Sequence, residues 1–220
     1  MRKLIQIIVL ALPLVSLSSV SIAQTTLLSL QKQWAIVNYT LKDDPQEEAF
    51  EKLIEEAKKF TAEDKKDAER LIWSGIIKSS YAGAKGGLGA LSYAKAAKKD
   101  LEQAITVDET ALSGSAHTSL ATLYSKVPGW PIGFGSNKKA AQHFKKALQL
   151  NPDGIDPNYF YGEFLFEEKS KYQDAENYLK KAQQAKPRKE RPLADQERQK
   201  EITALLAKVT KKLKRKKRKR

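Results

Sequence analysis

Apolar residues recur at spacings of three and four along most of the chain, and no alternating pattern of useful length follows residue 23. Such spacings place apolar side chains on one face of an α-helix, whereas a half-buried strand alternates at every second residue. The pattern therefore predicts an all-α protein.

A repeat with an offset of 35 residues is the strongest regularity. The segments AAQHFKKALQLNP and DAENYLKKAQQAKP align small, large, small and proline positions, namely Ala140 with Ala175, Phe144 with Leu179, Ala147 with Ala182 and Pro152 with Pro187. Small residues let helices approach closely, a large residue fills the space between them, and proline ends a helix. The series resembles the second helix of a tetratricopeptide repeat (TPR), whose period is about 34 residues.

The first helix of each pair is expected to show a large, small, large pattern. Two segments fit it well, namely Leu120, Ala121, Tyr124 and Tyr161, Gly162, Leu165. A third segment, Trp73, Ser74, Ile77, fits less closely. Another second helix is marked by Ala97, Leu101 and Ala104. Residues 27–41 and 46–60 form a degenerate further pair, and residues 193–213 are amphipathic. The expected fold is an all-α, TPR-like α-solenoid of three to four helix pairs at residues 24–210, with a C-terminal capping helix and a disordered basic tail at residues 211–220.

Two helix pairs have enlarged turns. We count the residues from the large residue of each first helix to the large residue of its second helix. The spacing is 28 from Trp73 to Leu101, 24 from Leu120 to Phe144 and 18 from Tyr161 to Leu179. The extra residues fall in AGAKGGLGA (82–90) and PGWPIGFGS (128–136). Because equivalent turns stack along one edge of a solenoid, the two loops are predicted to be neighbours that form a rim.

The candidate partner-binding residues lie on this rim and on the concave face. Trp130, Ile132 and Phe134 either fold back to fill a gap between helices or line the mouth of a groove. Concave positions are Ser115, Thr118 and Thr122 in the second pair and Asp156, Tyr159 and Glu163 in the third, and all of these except Asp156 are candidate partner-binding residues. These positions are either a solvated face or a surface that accepts a peptide or a small polar ligand.

Residues 1–23 are interpreted as a signal peptide. Arg2 and Lys3 precede an apolar run, and small residues precede an expected cleavage site after Ala23. An uncleaved anchor is the alternative, although the apolar run is shorter than the roughly 20 residues that span a membrane. The sequence has no cysteine, which excludes disulfides and a lipoprotein anchor. A periplasmic or secreted location is expected.

The net charge of +14 is concentrated in a short segment. Residues 208–220 hold ten basic groups, whereas residues 24–207 hold 28 basic and 26 acidic groups. The segment at residues 211–220 is either only solvated or binds an anionic envelope surface or an acidic protein. No nucleic-acid partner is expected for an exported protein.

Catalytic and metal-binding residue patterns are absent from the sequence. It has only two histidines, of which His117 falls at a packing position and His143 is expected to face solvent. It contains no paired cysteines, no HExxH and no phosphate-binding GK[ST] element. No catalytic residue, cofactor or metal is predicted, and the protein is expected not to be an enzyme.

The stretch VPGWPIGFGSNKKAAQHFKKALQLNPDGIDPNYFYGEFL and the later RPLADQERQKEITALLAKV resemble exported bacterial TPR proteins and, more distantly, the periplasmic T-component of TRAP transporters. The resemblance covers about residues 68–210. It implies an all-helical protein that pairs with a periplasmic solute-binding protein and forms ring-like oligomers around a small-molecule path. T-components are commonly lipid-anchored, which this cysteine-free chain does not match.

Three functions follow from these patterns. The first is a non-enzymatic scaffold that binds a protein or peptide through the concave groove and the two-loop rim. The second is an accessory that handles a small ligand in a TRAP-type solute uptake system. The third is an anionic-envelope binder that works through the basic tail, or a nucleic-acid binder if residues 1–23 are not a signal peptide.

Overall fold

The structure is a computed structural model that describes residues 25–167 and 171–218. The predicted signal peptide lies outside these residues. The described part contains nine helices and no strand: α1 (Leu27–Thr40), α2 (Asp43–Glu63), α3 (Ala68–Lys85), α4 (Gly87–Asp108), α5 (Ala111–Lys126), α6 (Asn137–Leu150), α7 (Ile155–Glu167), α8 (Tyr172–Gln183) and α9 (Pro192–Lys217). The predicted all-α, solenoid-like architecture is confirmed.

Side chains that cap backbone amides fix several helix starts. Thr26 and Ser29 cap each other's backbone amides at the start of α1. Asp67 accepts hydrogen bonds from two backbone amides of the first turn of α3, and Ser136 accepts one from Lys139 in α6. Each cap satisfies a donor that has no partner inside its own helix. The chain therefore begins these helices where the sequence supplies Thr, Asp or Ser.

Consecutive helices pack as the pairs α1/α2, α3/α4, α5/α6 and α7/α8, and α9 covers the end of the array against α8 and α7. The small, large, small residues of the second helices are buried at 0–1% exposure: Ala97, Leu101, Ala104, Ala140, Phe144, Ala147, Ala175, Leu179 and Ala182. The core that the 35-residue repeat predicts is confirmed. It continues into α9 through Ile202, Leu205 and Val209.

The register that was predicted for α3 is wrong by one residue. A Cβ atom on Gly75 would lie 2.6 Å from Leu101 Cγ, and a Cβ atom on Gly162 would lie 2.8 Å from Leu179 Cγ. Gly75 therefore occupies the position of Gly162, and Ser74 is not the small residue of the pattern. Trp73 and Ile77 pack in the other direction, in the cluster that α1 and α2 build with them. This cluster is the reason for the error, because α3 has apolar residues on both sides.

Gly75→Ala is expected to lower the free energy of unfolding by about 1–2 kcal/mol. The new methyl group displaces Leu101 in a packed core, which outweighs the better helix propensity of alanine. Gly83→Ala, in the same helix, is the matched control, because a Cβ atom there meets nothing within 4 Å. The control is expected to raise stability by up to about 1 kcal/mol. Equal effects in urea denaturation would contradict the revised register.

The predicted loop at residues 82–90 is wrong, because most of these residues are helical. α3 continues to Lys85 and α4 begins at Gly87, so the turn is Gly86, whose φ of 61° suits glycine. The extra residues lengthen both helices of the pair. By contrast, residues 128–136 form an ordered loop, in which Gly135 N–H donates to Pro128 O and Ser136 N–H donates to Tyr124 O.

The expectation of a disordered tail is wrong for residues 211–217, which belong to α9. Lys and Arg have good helix propensity, and positive charges near a helix C-terminus interact favourably with its dipole. The buried stripe that ends at Val209 also supplies a helix that these residues only need to extend.

Candidate functional site

A partly open cavity of about 1500 Å³ lies between the first helices of the pairs and the segment that leads into α9. Residues from both enlarged turns line it: Gly83, Gly87 and Ala90 from the first, and Pro128 and Ile132 from the second. The two turns thus border the same cavity. One of them is built from helix ends and the other from a loop.

The stripe of hydroxyl residues on α5 faces this cavity. Ser115, Thr118 and Thr122 all belong to its lining. Ser115 Oγ donates to Leu112 O at 2.8 Å, and Thr122 Oγ1 donates to Thr118 O at 3.0 Å. Because these protons are used within the helix, the two hydroxyl oxygens offer mainly lone pairs to the cavity. Ser79 and Ser80 of α3 add further hydroxyl groups.

The aromatic residues of the loop at residues 128–136 have different positions. Trp130 is 90% exposed and is not among the residues that line the cavity. Phe134 packs inward, with its ring 5.7 Å from that of Tyr124 and Lys98 Nζ 5.8 Å from its centre. Of the three apolar side chains Trp130, Ile132 and Phe134, only Ile132 lines the cavity. The structure therefore does not bring Trp130 and Phe134 together.

Tyr159 and Glu163 on α7 also lie outside the cavity lining. Tyr159 is buried, and the guanidinium of Arg198 lies 4.5 Å from its ring centre. Glu163 forms an ion pair of 3.1 Å with Lys126, which does line the cavity. Glu163 is therefore one side chain away from the space that a ligand would occupy.

Asp156 lies at the start of α7, where two arginines bind it inside the cavity. Arg188 Nη1 lies 2.7 Å from Asp156 Oδ2, and Arg198 Nε lies 3.1 Å from Asp156 Oδ1. Arg188 also pairs with Asp195, and Arg198 pairs with Glu201. Burial alone would raise the pKa of Asp156, but the arginines lower it well below its usual value. The carboxylate stays ionised and holds α7 to the start of α9.

Arg191 differs from these two arginines because its guanidinium has no carboxylate partner within ion-pair distance in the described part of the chain. It lies 4.9 Å from the ring centre of Trp73 and 5.6 Å from that of Trp34. Its Nε is buried and makes no hydrogen bond, and the same is true of Trp73 Nε1. Both residues line the cavity, which therefore has two adjacent buried donors without an acceptor.

His117 and His143 form a pair away from the hydroxyl stripe. Their Nδ1 atoms lie 2.9 Å apart, so one ring donates and the other accepts. The expectation that His143 faces solvent is wrong, because its ring stacks on Tyr124 at 5.6 Å. Burial lowers the pKa of both rings, and His117 lowers that of His143 further. Both imidazoles are therefore neutral at pH 7.

Among the described residues, no group of three or more His, Cys, Asp or Glu side chains is arranged to hold a metal ion. Within the same residues, no helix is both long and apolar enough to cross a membrane.

A sequence model of the TRAP transporter T-component family matches residues 27–212, from the start of α1 to near the end of α9. The chain belongs to the TRAP transporter T-component family. A comparison with individually curated proteins finds no match. As a T-component, the protein is an accessory component on the periplasmic side of a TRAP transporter, and members of this family are not known as enzymes.

The sequence reasoning missed the arginines at the base of this T-component's cavity. One signal was present: Arg198 falls in the apolar stripe of Ala194, Ile202, Leu205 and Val209, all of which are buried. A charged residue in such a stripe is buried and therefore needs a carboxylate partner. No comparable signal marks Arg191, because its isolation depends on which carboxylates its neighbours bind.

Proposed function

We propose that this T-component holds a small solute with an anionic group in its central cavity, as an accessory of a TRAP-type uptake system. The observation that carries the proposal is the pair of buried donors, Arg191 Nε and Trp73 Nε1, which lack an acceptor and line the same cavity. Buried donors are rarely left without a partner, because desolvation without a hydrogen bond costs about 1–3 kcal/mol.

An anion would supply what this part of the cavity lacks. Arg191 keeps its positive charge, although burial and Arg188 lower its pKa. Asp156 and Asp195 are already bound by Arg188 and Arg198, so neither neutralises Arg191 directly. A carboxylate or sulfonate would accept hydrogen bonds from the guanidinium in a site that is only partly hydrated, where such bonds are strong.

The rest of the cavity is suited to the body of the solute. Typical small-molecule pockets measure about 300–1,000 Å³, so 1500 Å³ leaves room for a solute and for water. Leu91, Leu112 and Phe160 offer apolar contacts, and the hydroxyl stripe of Ser115, Thr118 and Thr122 offers acceptors. These hydroxyl residues are proposed to contact the polar substituents of the solute.

A protein partner is proposed for the rim, and a specific residue favours it. Trp130 is 90% exposed beside the cavity, and exposed tryptophans are common energetic centres of protein interfaces. A periplasmic solute-binding protein docked at this loop would bring its solute close to Ile132, which lines the cavity. Phe134 would support the loop from below, and Glu163 would act through Lys126.

The test compares two fluorescent probes of nearly the same shape, anilinonaphthalene sulfonate and the neutral N-phenylnaphthylamine. Arg191→Met is expected to weaken binding of the sulfonate on the order of 10- to 100-fold, the effect of one lost hydrogen bond to a charged group. Binding of the neutral probe is expected to change less than about twofold, because its contacts are apolar.

Lys186→Met is the matched control, since Lys186 also lines the cavity, is exposed and carries the same charge. It is expected to change sulfonate binding only slightly, because solvent screens an exposed charge. Thermal melts of both variants check that the fold is kept. Unchanged sulfonate binding in Arg191→Met, or an equal loss of both probes, would overturn the proposal.

A further inference from the structure

The last part of α9 leaves the folded body. Val209 is its last buried residue, and Leu213 is the last that packs against the core cluster. Every described side chain from residue 214 to residue 218 is exposed. At a rise of 1.5 Å per residue, the helix extends about 12 Å beyond Val209 to its end at Lys217. We name residues 211–218 the basic rod.

The basic rod contains seven basic residues in eight positions, and Leu213 is the only exception. A helix turns by about 100° per residue, so these side chains point to all sides of its axis. The rod therefore has no neutral face.

Nothing in the described part of the chain neutralises this charge. The last acidic residue in the sequence is Glu201, which is paired with Arg198. No basic side chain of the rod has a carboxylate within ion-pair distance among the described residues. The rod alone carries seven of the 14 net positive charges, whereas residues 24–207 carry only two more basic than acidic groups.

We propose that the basic rod binds the surface of a bilayer that contains anionic phospholipid, and thereby holds the T-component at the membrane. The attraction to such a surface needs only accumulated positive charge and no particular face. A helix with basic side chains on all sides meets this requirement in any rotation about its axis. The proposal does not depend on what the cavity binds.

A protein partner fits the rod less well. The centres of protein interfaces are depleted in lysine and enriched in aromatic residues, and the rod has no aromatic residue and only one apolar side chain. A sequence that served only solubility would mix both signs of charge. The periplasmic side of the transporter offers no nucleic acid to bind, whereas the membrane is always present.

The test is co-sedimentation of the full chain with vesicles of phosphatidylcholine alone or of equal parts phosphatidylcholine and phosphatidylglycerol. Binding is expected only to the anionic vesicles. It is expected to disappear as salt rises from 0.1 M to 1 M, because the screening length falls from about 10 Å to about 3 Å. Replacing Lys214, Arg215, Lys216 and Lys217 by glutamine is expected to weaken this binding on the order of 100-fold or more.

The control variant removes four exposed lysines of the body that have no ion pair, Lys52, Lys59, Lys95 and Lys138, also by glutamine. It has the same net charge as the rod variant and is expected to bind anionic vesicles within about threefold of the unchanged chain. Circular dichroism checks that both variants stay helical, which glutamine favours.

Three results would overturn the proposal. They are binding to neutral vesicles that equals binding to anionic ones, equal losses in the rod and control variants, and absence of vesicle binding together with self-association at low salt in the ultracentrifuge. The last result would assign the rod to a second copy of the chain. Since the fluorescent-probe titration uses no membrane, it tests the cavity separately.

Discussion

Phe144→Ala is expected to lower the free energy of unfolding by about 3–5 kcal/mol, the largest effect of any single change considered. Phe144 is 1% exposed, and its ring lies 5.4 Å from that of Tyr161 and 5.5 Å from that of Phe164. Alanine would leave a cavity between α6 and α7 that their backbones cannot close without separating from the neighbouring helices. Urea denaturation monitored by circular dichroism measures the loss.

The repeat itself supplies the control for this experiment. Leu101 and Leu179 occupy the position of Phe144 in the other pairs and are fully buried. Phe144→Leu is therefore expected to cost less than about 1.5 kcal/mol, because most of the volume is kept. If alanine and leucine had equal effects, Phe144 would not fill the space between helix pairs.

Asp156→Asn is expected to lower the free energy of unfolding by about 3 kcal/mol. Its carboxylate is 26% exposed and neutralises Arg188 and Arg198, which would otherwise be left with less charge compensation inside the cavity. Breaking a buried ion pair costs about 3–5 kcal/mol, and the partial exposure of Asp156 places it at the lower end. Asparagine keeps the size of the side chain, so the effect isolates its charge.

The pH dependence of this loss has a definite sign. The pKa of Asp156 is lowered in the folded state, so its contribution is complete above the unfolded-state pKa of about 4 and is lost as pH falls towards the folded-state value. The difference in free energy of unfolding between the unchanged chain and Asp156→Asn should therefore narrow below about pH 4.

Glu55→Gln is the control for the charge change. It removes an ion pair with Lys58 in which both side chains are mostly exposed, and it should change the free energy of unfolding by less than about 1 kcal/mol.

The core of this fold could be read from the sequence because it depends on local spacing. The small, large and small residues of α4, α6 and α8 are spaced four and three residues apart, and all of them are buried. Packing of this kind needs only the right volume on the right face of a helix. The prediction failed for Trp73, Ser74 and Ile77, because α3 is covered on two sides and a single apolar pattern cannot identify which partner each residue faces.

The candidate site was predictable only where one helix presents it. Ser115, Thr118 and Thr122 recur on one face of α5, and that face lines the cavity. Asp156, Tyr159 and Glu163 were placed by the same rule, but of these three only Asp156 lines the cavity, together with Phe160. Arg198 binds Asp156 and also packs on the ring of Tyr159, which is buried outside the cavity lining.

The sequence alone determined the helical class, the stacked pairs, the buried side of each second helix and the concentration of charge at residues 208–220. These depend on periodicity and composition, which act over a few turns of helix. Only the tertiary structure decided that the basic residues extend α9, that the turn after α3 is a single glycine, and that Arg191 has no carboxylate partner. Such properties depend on which side chains from distant segments reach each other, and carboxylates that bind Arg188 and Arg198 are no longer free for Arg191.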